Sequence, residues 1–185
     1  MGLRMLAPFV APGLPGGEDD PKSVQRRRRV AMKYVNILED INNQLPVPAR
    51  IEFFKSSKAG GKAYQVAGGW LVRVPPPVDY ETLFTGIHEL GHTVNSHWRL
   101  SCLREYYAEM FAMQCFKRLN LPVTKDIESH HKWYMAFSLG QALNRGLKRV
   151  PAELKPYRKY LHKTEKLVCD GGSWKRISRY HAFVP

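Results

Sequence analysis

The segment His88-Glu89-Leu90-Gly91-His92 constrains this chain more than any other. It lies inside a run with helical periodicity, where Leu83, Ile87, Leu90 and Val94 recur on one face. Residues four apart on a helix are neighbours, so both imidazoles can reach one ion. Glu89 sits about 100° round from His88, at the edge of that face, where its carboxylate can bond a metal-bound water without ligating the metal. Zn2+ is the expected ion, since it lowers the pKa of its water toward neutrality and leaves Glu89 to take the proton as general base.

Two histidines leave a catalytic zinc one protein ligand short. The next helical stretch carries Glu105, Glu109, Ala112 and Phe116 on one stripe. Two carboxylates on a stripe that turns small and apolar need a partner, because an unpaired buried charge is costly. Glu105 is assigned as the third ligand, and Glu109, one turn on, as the acceptor for a free ring N–H of a ligand histidine. The reverse assignment is the alternative. Downstream, His131 and Tyr134 share a helical face and are candidate donors to the oxyanion of a tetrahedral intermediate, with simple packing as the alternative. His97 falls on the far side of its helix and reads as surface. Cys102 reads as a reduced thiol.

Around this centre the chain reads as α+β. A helix is expected over residues 22–45, a strand over 50–55, and a hairpin over 62–74 turning at Gly68-Gly69. Asp79 is placed to cap a helix running to about His97. Helices then follow over about 103–119, 124–147 and 151–168. Residues 1–21 read as a mobile leader without an export signal, 22–168 as one domain, and 169–185 as a basic, aromatic tail.

The chain of 185 residues carries 29 Lys+Arg against 16 Asp+Glu, a formal net charge of +13. Residues 79–121, which hold the motifs, contain 4 basic and 5 acidic groups, so the excess lies in the flanks. Such flanks suit a polyanion, first of all nucleic acid. Arg26, Arg27, Arg28 and Arg29 in the first helix and Lys175, Arg176 and Arg179 in the tail are the candidate phosphate contacts, with Trp174, Tyr180 and Phe183 available to stack on bases. No apolar run spans a bilayer, which excludes an integral membrane protein of the helical kind. Three cysteines without a CxxC pair point to reduced thiols and a cytoplasmic setting.

HELGH followed by EYYAE resembles the gluzincin pattern, in which HExxH is completed by ExxAD or ExxAE on the next helix. The chain is similar to IrrE-type regulators and most similar to the zincin-like C-terminal domain of the ArdC-type antirestriction proteins of plasmids and phages. Three stretches carry the likeness over roughly residues 62–145: the HELGH helix, REYYAEMFAMQCFKRLNL, and HHKWYMAF. Residues 1–60 are too short for that family's separate single-strand-DNA-binding domain. The resemblance implies a zincin-like fold, with a small twisted sheet and hairpin packed on the HExxH helix. It also implies His88, His92 and Glu105 as zinc ligands and Glu89 as general base. The expected activity is a zinc metallopeptidase acting on a protein or peptide laid along a sheet edge. The alternative is a nucleic-acid-binding or antirestriction protein that keeps the scaffold with little or no peptidase activity.

Overall fold

The computed structural model describes residues 20–54 and 60–161. Within them the chain is α+β: a helix, a three-stranded sheet, three further helices and a 3-10 helix. The tail residues Lys175, Arg176 and Arg179, with Trp174, Tyr180, Phe183 and Cys169, lie outside the described residues, as does most of the leader.

Helix α1 spans Pro21–Asn43 and begins one residue earlier than the sequence suggests. Asp20 caps it by accepting from the Lys22 N–H, and Pro21 fills a position where no N–H is needed. Its exit is held by Asn42, whose side chain both donates to the Ala49 carbonyl and accepts from the Ala49 N–H, each at 2.8 Å. That buried clasp feeds the chain into β1 (Arg50–Phe53). Strands β2 (Lys62–Val66) and β3 (Gly69–Val74) complete a sheet in the order β1-β3-β2. β1 runs parallel to β3, and β2 antiparallel to it. Among the described residues no strand pairs with the outer edge of β2.

The hairpin turns one residue before its expected place. Val66 pairs with Gly69, so the two loop residues are Ala67 and Gly68. Gly68 takes φ +83°, the left-handed conformation that favours glycine. Gly69 belongs to the strand.

Alternation sorts the sheet into two faces. Val72 and Val74 are fully buried toward the helices, while Arg50, Glu52 and Arg73 meet one another on the outer face. Helix α2 (Tyr80–Val94) packs under the inner face. Asp79 caps it as expected, within a capping box in which Thr82 answers back. It ends at Val94, short of His97, which is exposed.

Helix α3 (Ser101–Arg118) starts at Ser101, two residues before its expected start, without a side-chain cap, and α4 (Lys125–Asn144) starts behind the Thr124 cap. The last expected helix is instead a 3-10 helix over Ala152–Tyr160, with Leu154 N–H bonding the Pro151 carbonyl three residues back. Pro156 lies inside it. A proline has no N–H for an α-helical bond and crowds the carbonyl four residues back, which disfavours the wider helix here.

Two apolar clusters result. One joins α1, the sheet and α2 to Ala112, Cys115 and Phe116 of α3. The other joins Cys102 and Leu103 of α3 to Met135, Leu139 and Ala142 of α4 and Leu154 of the 3-10 helix. α3 is common to both, and the polar residues of the motifs collect where the clusters meet. Among the described residues no helix is long and apolar enough to cross a membrane.

Candidate metal centre

Packing of α2 on α3 creates the centre. A β-carbon at Gly91 would stand 2.8 Å from both the Cα and the carbonyl oxygen of Ala108. Only glycine allows the two backbones this close. The approach carries Glu105, one turn before Ala108, up to the histidine face of α2.

His88 Nε2 and His92 Nε2 lie 3.1 Å apart, and Glu105 Oε2 is 3.4 Å from each. These three donors form a possible metal-binding triad. Their chemistry can be checked against a zinc site. Bonds of about 2.0–2.1 Å in a tetrahedron place neighbouring donors about 3.3 Å apart, close to all three separations here. His88 Nδ1 is a buried atom without an aligned hydrogen bond, and Glu109 Oε1 stands 3.3 Å from it. Two imidazoles and one carboxylate at these separations fit a zinc ion.

The choice between the two glutamates is decided by position. Glu105 is partly exposed and reaches both Nε2 atoms. Glu109 is 1% exposed and stands behind His88, on the Nδ1 side. Its other oxygen, Oε2, meets His131 Nδ1 at 3.1 Å. Burial pushes the Glu109 carboxyl up, but the contacts with His131 and His88 outweigh it and hold the group down at about 2. For Glu105 too, burial is overcome by the two histidines, which hold it well below the usual carboxylate range.

Glu89 behaves differently. It is buried, and desolvation raises its carboxyl above the ordinary value despite the two histidines and the Ala63 N–H, which favour the charge. Gly61, just before β2, passes directly over it: a β-carbon there would be 2.5 Å from Glu89 Cγ. Strand β2 thus borders the centre at Glu89.

α4 supplies the remaining wall. Tyr134 donates its hydroxyl to Glu105 Oε2 at 2.5 Å, and its ring stands edge-on to that of His88. Burial, then the Glu105 charge, keeps this phenol protonated far above neutral pH. His131 takes a different place from the one expected. Both its ring nitrogens are occupied, Nδ1 by Glu109 and Nε2 by the Tyr157 hydroxyl at 2.7 Å. It stands behind the triad, one residue removed, and is corrected from an oxyanion donor to a support for Glu109. Its one-turn offset from Tyr134 on α4 turns the two side chains to different neighbours. Tyr157, on the 3-10 helix, closes this line of contacts. Nothing in the sequence distinguishes it from the other eight tyrosines. Gly61 was equally hidden, since its role depends on how β2 crosses α2.

Of the basic residues singled out, Arg26 and Arg29 are exposed on α1, and they share a stripe with exposed Lys22 and Lys33. Arg27 and Arg28 lie on the same helix with side chains outside the described set. Neither Arg26 nor Arg29 belongs to the metal centre. Cys102 is a free, fully buried thiol. Comparison with protein families, with curated proteins and with solved structures finds no match to this chain.

Proposed function

We propose that the chain is a zinc metallopeptidase on a zincin-like scaffold, working in the cytoplasm. The observation that carries this reading is the meeting of His88, His92 and Glu105 at zinc-like spacing, with Glu89 buried alongside. The sequence resemblance to gluzincins, carried by the same HELGH and EYYAE segments, accords with it. The free thiols Cys102 and Cys115 accord with a reducing compartment.

Zinc, when bound, supplies a Lewis acid that polarises a carbonyl and eases ionisation of water. The chain supplies the rest. The edge of β2 can pair with an extended peptide, which orients it without reading its sequence. Glu89, with its raised proton affinity, is suited to accept the proton of the attacking water and pass it to the leaving amine. Tyr134 keeps its proton and can turn its hydroxyl from Glu105 to the oxyanion as charge develops there. Glu109 and His131 hold His88 from behind.

The test is Glu89→Gln. The variant should bind one zinc per chain, as wild type does, yet cleave a peptide library at least a thousandfold more slowly. Undiminished cleavage would refute the mechanism.

One observation favours a second reading. Lys22, Arg26, Arg29 and Lys33 follow each other at spacings of four, three and four on an exposed face of α1. Such a stripe suits the phosphates of nucleic acid, on which the scaffold would bind or regulate, in the antirestriction manner, with little or no cleavage. A gel shift that weakens with salt and survives chelation of the metal would support it.

A further inference from the structure

Behind His88 a line of polar contacts joins four elements. Glu109 Oε1 of α3 stands 3.3 Å from His88 Nδ1 of α2. Glu109 Oε2 meets His131 Nδ1 of α4 at 3.1 Å, and His131 Nε2 meets the Tyr157 hydroxyl of the 3-10 helix at 2.7 Å. Glu109 is 1% exposed and His131 8%, so neither relies on solvent. Both oxygens of Glu109 and both ring nitrogens of His131 face a partner in the line.

The 3-10 helix is suited to hold Tyr157 there. At three residues per turn, Leu154 and Tyr157 share one face. Leu154 is fully buried in the cluster with Met135 and Leu139 of α4, so Tyr157 is turned toward α4 as well. An α-helix would swing the two side chains about 60° apart. Next to Leu154, Glu153 accepts from the Tyr107 hydroxyl of α3 at 3.1 Å and ties the same turn down.

Hydrogen-bond roles give the line a direction. A carboxylate only accepts, so Glu109 takes a proton bond from the ring nitrogen on each side. His131 then donates through Nδ1, and a neutral ring with its proton there has a bare Nε2. That nitrogen is the acceptor for the Tyr157 hydroxyl, a group that needs a partner once partly buried. The other end fits. His88 Nδ1 is buried without an aligned bond, and a proton on it, facing Glu109, leaves Nε2 bare toward Glu105 and His92.

We propose that Tyr157 is a positioning residue for the metal centre: by donating to His131 Nε2 it fixes the tautomer that donates to Glu109, and so keeps His88 presenting a bare Nε2 to the ion. The inference rests on the zinc-binding part of the peptidase reading and does not require that the chain cleave peptides. Tyr157 acts through two residues, so its effect falls on how tightly the metal is held.

The test reads zinc affinity of the full chain by chelator competition. Tyr157→Phe keeps the ring and removes only the hydroxyl. It should weaken zinc binding about fivefold, less than the loss of a group in direct contact with a ligand histidine. In a Glu109→Ala background the same change should have no further effect, because the line is already cut. Tyr160→Phe, on the same 3-10 helix, should leave affinity at the wild-type value. In zinc-loaded wild type, correlation of labelled histidine ring nitrogens with ring protons should show His131 as the Nδ1–H tautomer. A merely structural Tyr157 would lower the melting temperature without moving zinc affinity, and that result would overturn the proposal. So would an equal fall in both backgrounds, an equal fall in Tyr160→Phe, or a His131 protonated on Nε2. Failure of the wild-type chain to bind zinc would overturn this inference and the peptidase reading together. Zinc binding that responds as stated, without any peptide cleavage, would support the role of Tyr157 and remove only the peptidase reading.

Discussion

Gly91 of α2 and Ala108 of α3 meet backbone to backbone, at a distance that excludes any side chain at position 91. That contact sets how far Glu105 stands from the two histidines. Gly91→Ala is therefore expected to do two things. Forcing a methyl into this contact moves whole helices, and should cost about 3 kcal/mol or more of stability, at the upper end for overpacking. It should also lower zinc affinity by well over tenfold. A thermal melt and a chelator competition would check both. Gly86→Ala is the comparison: its β-carbon would meet the end of the flexible Leu38 side chain, so stability should fall less and zinc affinity hold.

Glu105→Ala should lose zinc outright, because two imidazoles alone make a weak site. Glu109→Ala should keep zinc but bind it about 10–100-fold less tightly, the usual cost of losing a carboxylate behind a ligand histidine. Equal losses in the two variants would mean that the glutamates do not divide their roles as their positions imply.

His131→Ala should behave like a weaker Glu109→Ala. It leaves a buried carboxylate short of one partner, which is destabilising as well as loosening. The expected result is a several-fold fall in zinc affinity with a lowered melting temperature. An unchanged affinity would separate the line through Tyr157 from the metal centre.

Tyr157 gives a prediction in pH. Burial, with the neighbouring Tyr106 and Glu109, raises its phenol from 10 to about 12. In the unfolded chain the phenol ionises near pH 10, while in the fold it holds its proton further. The unfolded state then binds fewer protons, so stability is intact below pH 10 and falls as the pH rises toward 12. Tyr157→Phe should flatten part of that decline in an alkaline titration of stability. An identical slope in the variant would argue against it.

Tyr134→Phe should lower kcat by about a hundredfold with KM little changed, since its hydroxyl is expected to act on charge that develops only in the transition state. Equal effects on both constants would recast Tyr134 as a substrate-binding residue.

How much of this was legible in the sequence differs by element. The His88–His92 pair, Glu89 beside it and the Asp79 cap are local: each depends on spacing within one or two helical turns, and each stands where spacing puts it. That a carboxylate of the Glu105–Glu109 stripe should face the histidines was legible, because two carboxylates on a stripe that turns apolar call for a partner. The hairpin was legible, but its turn slipped by one residue, because Gly68 and Gly69 are equally tolerant and pairing across the sheet chose between them. The helix expected over 151–168 takes the 3-10 form over Ala152–Tyr160, where Pro156 has no N–H for an α-helical bond.

The sequence by itself determined that two imidazoles and a carboxylate share one turn of a helix, and that two further carboxylates follow on the next. Helical periodicity is a short-range property, so neighbouring residues suffice to define it. Tertiary structure alone decided which glutamate meets the histidines, and that His131 faces Glu109 and Tyr157. Those outcomes depend on how closely α2, α3, α4 and the sheet approach one another. That spacing is set by contacts between residues far apart in the chain, such as Gly91 against Ala108.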